Sequence, residues 1–279
     1  MKLTLLAAFL LAPVCIAREH PSFSVSVQGE GAPMILIPGL ECPAEVWQDV
    51  IQHYGSQYQI HAITIAGFAG EPAVPGLKLA QVKDELVEYI QHNRLSKPIL
   101  MGHSLGGFLA FWIGARAPDL IGGIISIDGL PFLPALMGAA PDAEKFRSLY
   151  ASLTPDQLGK MSRMALEQMI SDPKRVDLAA NWAAKSDPAF VGQAMYDLMT
   201  TDLRPELRKL HSPVLLIGAG KAFSKDPEQL SKIRVAYEAQ VRGASDRTVI
   251  IAEHALHFVM FDDPDFLYRA IDEFLGRQE

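Results

Sequence analysis

The stretch Ile99-Leu100-Met101-Gly102-His103-Ser104-Leu105-Gly106-Gly107-Phe108-Leu109-Ala110 decides the fold. It starts as a short apolar strand, passes through a cramped turn and continues as an apolar helix. A serine held between strand and helix takes a strained backbone conformation that lifts its hydroxyl clear of the sheet. Side chains two positions to either side of it would collide, so Gly102 and Gly106 stand where hydrogens are needed. The following helix leaves its first amides free. Negative charge forming beside Ser104 would therefore meet the Leu105 N–H and the positive end of the helix dipole.

Outward from this turn, strand and helix patterns alternate. Upstream, residues 34–37 (Met-Ile-Leu-Ile) read as a fully buried strand. It ends in Pro38-Gly39-Leu40-Glu41-Cys42-Pro43, a loop at the carboxyl end of a strand, where open α/β sheets place their ligands. Residues 23–27 alternate polar and apolar, as a half-exposed antiparallel strand does. Residues 44–54 have helical spacing, 60–65 form an apolar strand, and 77–92 an amphipathic helix with Leu79, Val82, Leu86, Val87 and Ile90 on one face. Downstream, a helix over 105–117 leads to a buried strand over 121–127 that ends in Asp128-Gly129. The alternation resumes with a strand at 214–217, a helix at 227–241, a strand at 247–251 and a helix at 264–275, the last with Asp262, Asp263 and Asp265 near its first amides. The class is α/β, with a mainly parallel central sheet and helices on both faces.

Between these halves, residues 131–210 hold no core-strand pattern. Apolar residues recur at helical intervals, and Pro155, Pro173, Pro188 and Pro205 mark breaks. Met137, Met161, Met164, Met169, Met195 and Met199 lie here, out of ten methionines in the chain. Flexible thioethers either line a pocket for varied apolar groups or simply pack helices together.

The G-x-S-x-G pattern at 102–106, with a strand before it and a helix after it, resembles the nucleophile elbow of the α/β-hydrolase superfamily. The resemblance covers essentially the whole chain after residue 17. It implies a core of residues 18–130 and 211–279, a helical cap over 131–210, and a Ser104 nucleophile served by a base and an acid that follow in the order Ser, Asp or Glu, His. For the base it favours His257, whose His257-Phe258 pair matches the loop before the last helix, over His254. The loop at 38–43 carries Pro38 where family members often have histidine. The oxyanion donor there is a backbone N–H, which the resemblance assigns to Leu40, with Leu105 as the second donor. The acid departs from the commonest pattern, because Gly218-Ala219-Gly220-Lys221-Ala222-Phe223-Ser224-Lys225 offers no carboxylate before Asp226. Asp226 precedes Pro227 and reads as a helix N-cap. Asp128, at the end of a rigid core strand, is the preferred acid, with Asp226 as the alternative. His103 is expected to pack behind the turn.

The function implied is hydrolysis of a carboxylic ester, thioester or lactone through an acyl-enzyme. An acyltransferase, or a ligand-binding protein that keeps the fold without activity, is the alternative. The partner is a small-molecule substrate with an apolar acyl group, and no cofactor is implied. No H-E-x-x-H or other metal spacing occurs, so no metal ligands are expected. A net charge of −7, with basic residues scattered singly, excludes a nucleic-acid surface.

At the N-terminus, Lys2 precedes an apolar run over 3–12 and then Pro13-Val14-Cys15-Ile16-Ala17. This reads as a secretory signal cleaved after Ala17, followed at once by Arg18-Glu19-His20. The run is too short to serve as a stable membrane anchor. Export to the periplasm or medium is therefore expected. Cleavage leaves Cys42 without a cysteine partner, and a buried structural thiol is the expected outcome.

Overall fold

The computed structural model describes residues 20–136 and 142–277. The expected signal over 1–17 and Met137 lie outside the described residues. In chain order the first elements are β1 (Phe23–Gln28), β2 (Ala32–Ile37), a 3-10 turn (Ala44–Trp47), α1 (Gln48–Tyr54), β3 (Tyr58–Ile65) and α2 (Leu79–His92). Next come β4 (Ile99–His103), α3 (Leu105–Arg116) and β5 (Gly123–Ile127). Four helices then follow before the sheet resumes: α4 (Ala143–Ala151), α5 (Pro155–Leu166), α6 (Pro173–Ala183) and α7 (Pro188–Thr200). The chain closes with β6 (Val214–Ala219), α8 (Pro227–Gln240), β7 (Arg247–Ala252), the single turn α9 (Val259–Asp262) and α10 (Pro264–Leu275).

The strands form one seven-stranded sheet in the order β1-β3-β2-β4-β5-β6-β7. Among the described residues only the β1–β3 pair is antiparallel, and every other pair is parallel. Alternation along the buried strands sends side chains to opposite faces. Ile35, Ile37, Leu100 and Leu216 join Phe108 and Phe111 of α3 in one core. Met34, Leu36, Met101 and Leu215 join Trp47, Ile271 and Phe274 in the other. β1 is an edge strand whose apolar positions are mostly open: Phe23 is buried, while Val25 and Val27 are exposed.

Two sequence expectations are refined. The helix expected over 44–54 divides into the 3-10 turn and α1. The prolines read as breaks at 155, 173 and 188 start helices: each occupies the first turn behind a capping Thr154, Asp172 or Asp187. Proline is suited to that position because its fixed φ is helical and its missing N–H would have had no helical acceptor. Thr154 and Gln157 complete a reciprocal capping box.

The inserted helices are tied to the sheet-bearing core by specific polar contacts. Asp197 on α7 accepts from the Leu79 N–H at the start of α2 (2.8 Å). Arg175 on α6 meets Asp49 on α1 (2.7 Å). Asp262, expected at the final helix N-terminus, instead accepts from the Ser171 hydroxyl and the Leu256 N–H, leaving Asp263 to cap α10. Among the described residues no helix is long and apolar enough to cross a membrane.

Candidate active site

β4 delivers the chain to Ser104, whose backbone takes φ 53° and ψ −116° before α3 begins. A Cβ on Gly106 would lie 2.0 Å from the Ile37 carbonyl oxygen, and one on Gly102 would lie 2.2 Å from the Gly106 backbone. These approaches explain both glycines physically. The Ser104 N–H donates to the Ile127 carbonyl (2.9 Å), which fastens the turn to β5.

Asp128 follows β5 directly and has a left-handed backbone (φ 50°). Its own N–H donates to Ile217 of β6 (2.7 Å), so the residue is held between two central strands. The His257 Nδ1–H donates to Asp128 Oδ2 at 2.5 Å. The other carboxylate oxygen accepts the Tyr237 hydroxyl (2.5 Å) and the Ala219 N–H (2.8 Å). Burial on its own would raise this carboxyl. Donation by His257, Tyr237 and Ala219 outweighs burial and holds it below the usual carboxylate range. The same burial and the Asp128 charge push the Tyr237 hydroxyl far up, so it remains a donor.

The alternatives weighed from sequence fall elsewhere. Asp226 caps α8 by accepting from the Glu228 and Gln229 N–H groups. His254 is exposed. His103 is buried and its Nε2–H donates to the His257 carbonyl (3.1 Å), which supports the backbone of that loop. Burial, reinforced by nearby His257, pushes the His103 ring down to about 3, so it stays neutral. Among the described residues its Nδ1 has no hydrogen-bond partner.

A cavity of about 270 Å³ opens beside these groups. Leu40, Glu41, Ser104 and His257 line it, together with Tyr150, Met161, Met169 and Met195 from the segment between β5 and β6. Thus three of the methionines noted above face the cavity, whereas Met164 is exposed and Met199 is buried in packing. Leu105 is the first residue of α3, where an N–H has no intrahelical acceptor. Among the described residues neither the Leu40 nor the Leu105 N–H donates to another group. Cys42 is buried and free, and burial pushes its thiol far above the ordinary range.

Residues 34–270 match the sequence profile described as the Alpha/beta hydrolase family. The chain belongs to that family. Among its relatives is the pimeloyl-[acyl-carrier protein] methyl ester esterase of Aliivibrio salmonicida (strain LFI1238), 24% identical over 259 residues that cover 90% of this chain and 95% of the relative. The N-formylmaleamate deformylase of Pseudomonas putida is 23% identical over 261 residues, covering 88% and 90%. A thermophilic esterase from Thermogutta terrifontis, solved with malate bound, shares the fold with a TM-score of 0.76 at 19% identity, over 92% of this chain and 93% of that one. The relatives of this hydrolase-family chain are thus esterases and other hydrolases.

The hydrolase fold also brings in residues that the sequence did not single out. Tyr237 lies on α8, 109 positions from the carboxylate it touches, and nothing in its neighbourhood distinguishes it from a core tyrosine. Glu41 did carry a signal: it is a charged residue immediately after Leu40 in an otherwise apolar loop. Among the described residues no group of three or more His, Cys, Asp and Glu is placed to hold a metal ion.

Proposed function

We propose that this chain is a serine hydrolase that cleaves a carboxylic ester, thioester or lactone by acyl transfer. The observation that carries the reading is the His257–Asp128 bond of 2.5 Å at the edge of a cavity that also contains Ser104. Donation from Nδ1 to Asp128 fixes the imidazole tautomer and leaves Nε2 as the base. Ser104 Oγ attacks the substrate carbonyl carbon as His257 takes its proton. The Leu40 and Leu105 N–H groups hold the oxyanion that forms. The bond to the leaving oxygen or sulfur then breaks as His257 returns the proton to it. Water repeats the sequence on the acyl-enzyme, releasing the acid and restoring Ser104.

The names of the relatives, a methyl ester esterase and a deformylase, support hydrolysis of an acyl bond as the reaction class for this chain. The inserted helices act in this reading as a cap, and their methionines give the acyl group an adaptable apolar surface. Residues 1–17 support export, and the mass of the protein recovered from a secreting host tests cleavage after Ala17.

The enzymatic test is a panel of nitrophenyl esters graded by chain length, with small lactones and thioesters alongside. Turnover of at least one class that disappears in Ser104→Ala is the expected result. Binding without turnover of any class would favour a ligand-binding protein instead.

A further inference from the structure

The cavity contains one charged side chain that the proposed acyl transfer does not use. Glu41 follows the oxyanion residue Leu40 and has a left-handed backbone (φ 62°), a conformation that favours glycine. Glu41 lines the cavity together with Ser104 and His257, and so does Ser162, which its carboxyl meets. Among the described residues the only donor that reaches this carboxyl is the Ser162 hydroxyl of α5, at 2.9 Å. Among the described residues no lysine or arginine lines the cavity. Two costs therefore coincide at one position: a strained backbone and a carboxyl with little solvation and no cation. Such costs gather where strain and desolvation serve a site. Packing does not account for them, since glycine would take this backbone without either cost.

We propose that Glu41 determines specificity, accepting a hydrogen bond from a donor on the enclosed part of the substrate, above all an ammonium group, and disfavouring substrates that place a carboxylate there. This rests on the acyl-transfer reading for the position of the scissile bond. The binding preference itself needs only the cavity. The carboxyl has open acceptor capacity, because an ionised carboxylate offers roughly four lone-pair sites and Ser162 occupies one. An ammonium group would supply the missing cation, whereas a carboxylate would add a second negative charge where no basic side chain offsets it.

The preference is pH-dependent. Burial pushes the Glu41 carboxyl up to about 7, with the Ser162 hydroxyl opposing. Around it stand Cys42 on its own loop, Tyr150 on α4 and Ser162 on α5, and His103 and His257 line the same cavity. Burial and the Glu41 charge raise both Cys42 and Tyr150, which therefore stay neutral, and burial keeps His103 neutral. His257 also lines the cavity, and comparing Glu41→Gln with native Glu41 isolates the Glu41 contribution.

The experiment measures calorimetric binding to full-length Ser104→Ala, which cannot turn over. Two matched ester pairs are used: ethyl ε-aminocaproate against monoethyl adipate, charged on the acyl side, and para-aminomethylbenzyl butyrate against para-carboxybenzyl butyrate, charged on the alcohol side. At about pH 8.5 the ammonium member of at least one pair should bind roughly tenfold more tightly or better, the scale of a hydrogen bond to a charged group. Adding Glu41→Gln should bring that ratio to within about twofold, and with Glu41 intact most of the ratio should be lost by about pH 5.5, where the carboxyl is protonated. A ratio near one in both pairs, a ratio that survives Glu41→Gln, or one constant between the two pH values overturns the proposal. The pH arm uses the native Glu41 and does not depend on the Gln variant folding. Failure of the acyl-transfer reading would look different: the ratios would behave as described while the Ser104 protein hydrolyses none of the four esters.

Discussion

Asp128 and His257 lie 129 positions apart in the chain, yet meet through a 2.5 Å bond between Oδ2 and Nδ1. Asp128 is anchored through its own N–H to β6, and its second oxygen is occupied by Tyr237 and Ala219. The carboxylate is thus fixed from two sides before it orients the imidazole. Among the described residues Asp226 accepts only from the amides of its own helix.

That difference sets the first expectation. Asp128→Asn should lower turnover by roughly ten-thousand-fold, the scale on which a mis-set histidine tautomer acts in serine proteases. Asp226→Asn should cost about 1 kcal/mol of stability or less and leave turnover near that of the unaltered protein. Steady-state rates and melting temperatures of the two variants decide it, and a near-normal rate in Asp128→Asn with collapse in Asp226→Asn would reverse the assignment.

Tyr237→Phe removes one donor from the ionised Asp128 and nothing from the cavity lining. Burial then weighs more heavily against the carboxylate, and its protonation moves to higher pH. The acid limb of the kcat profile should shift upward, with a loss of stability on the order of 1 kcal/mol. An unchanged acid limb with the same stability loss would mean that Tyr237 only packs.

How much of this was legible in the sequence follows from the range of each signal. The Ser104 turn is local: two glycines, a strand before and a helix after specify it within a dozen residues, and the alternation around it fixes a parallel sheet. The prolines of the inserted segment were legible as boundaries, but whether a boundary starts or ends a helix depends on the residue before it, and Thr154, Asp172 and Asp187 decide that. The preference for Asp128 over Asp226 came from the rigidity of a strand end. Tyr237 was not legible, because its role exists only once α8 packs against the end of β5. Glu41 was in view but carried no reading, since its significance comes from a cavity and from Ser162 of α5, 121 positions away in the chain.

Stability should depend on pH in two separable ways. His103 is pushed down to about 3 in the fold, whereas an unfolded histidine titrates near about 6.5. Between those values the unfolded chain holds the extra proton. This contribution is therefore complete above about pH 6.5 and is lost as pH falls toward about 3. Glu41 works in the opposite sense: raised to about 7 in the fold, it holds a proton that the unfolded chain has released, so its contribution is lost as pH rises through about 7. Melting temperatures across pH should show a smaller loss on acidification below about pH 6.5 in His103→Gln, and a smaller loss between about pH 4.5 and about 7 in Glu41→Gln. Parallel curves for all three proteins would contradict the assignment.

Substrates with apolar acyl groups should outpace acetate esters, since three methionines line the cavity. The gain per methylene is bounded at roughly 0.8 kcal/mol, about fourfold. The volume of about 270 Å³ lies just below the usual range for ligand pockets, so the gain should stop after a short chain. Rates that fall steadily from acetate upward would contradict the apolar-acyl reading.

The central claim is that Ser104 is a nucleophile activated by His257. It is tested most directly by the intact mass of the protein after treatment with a fluorophosphonate, followed by peptide mapping. The account predicts one adduct, on Ser104, absent from Ser104→Ala and strongly slowed in His257→Ala. A protein that stays unlabelled, or one labelled at another residue with Ser104 free, would contradict it.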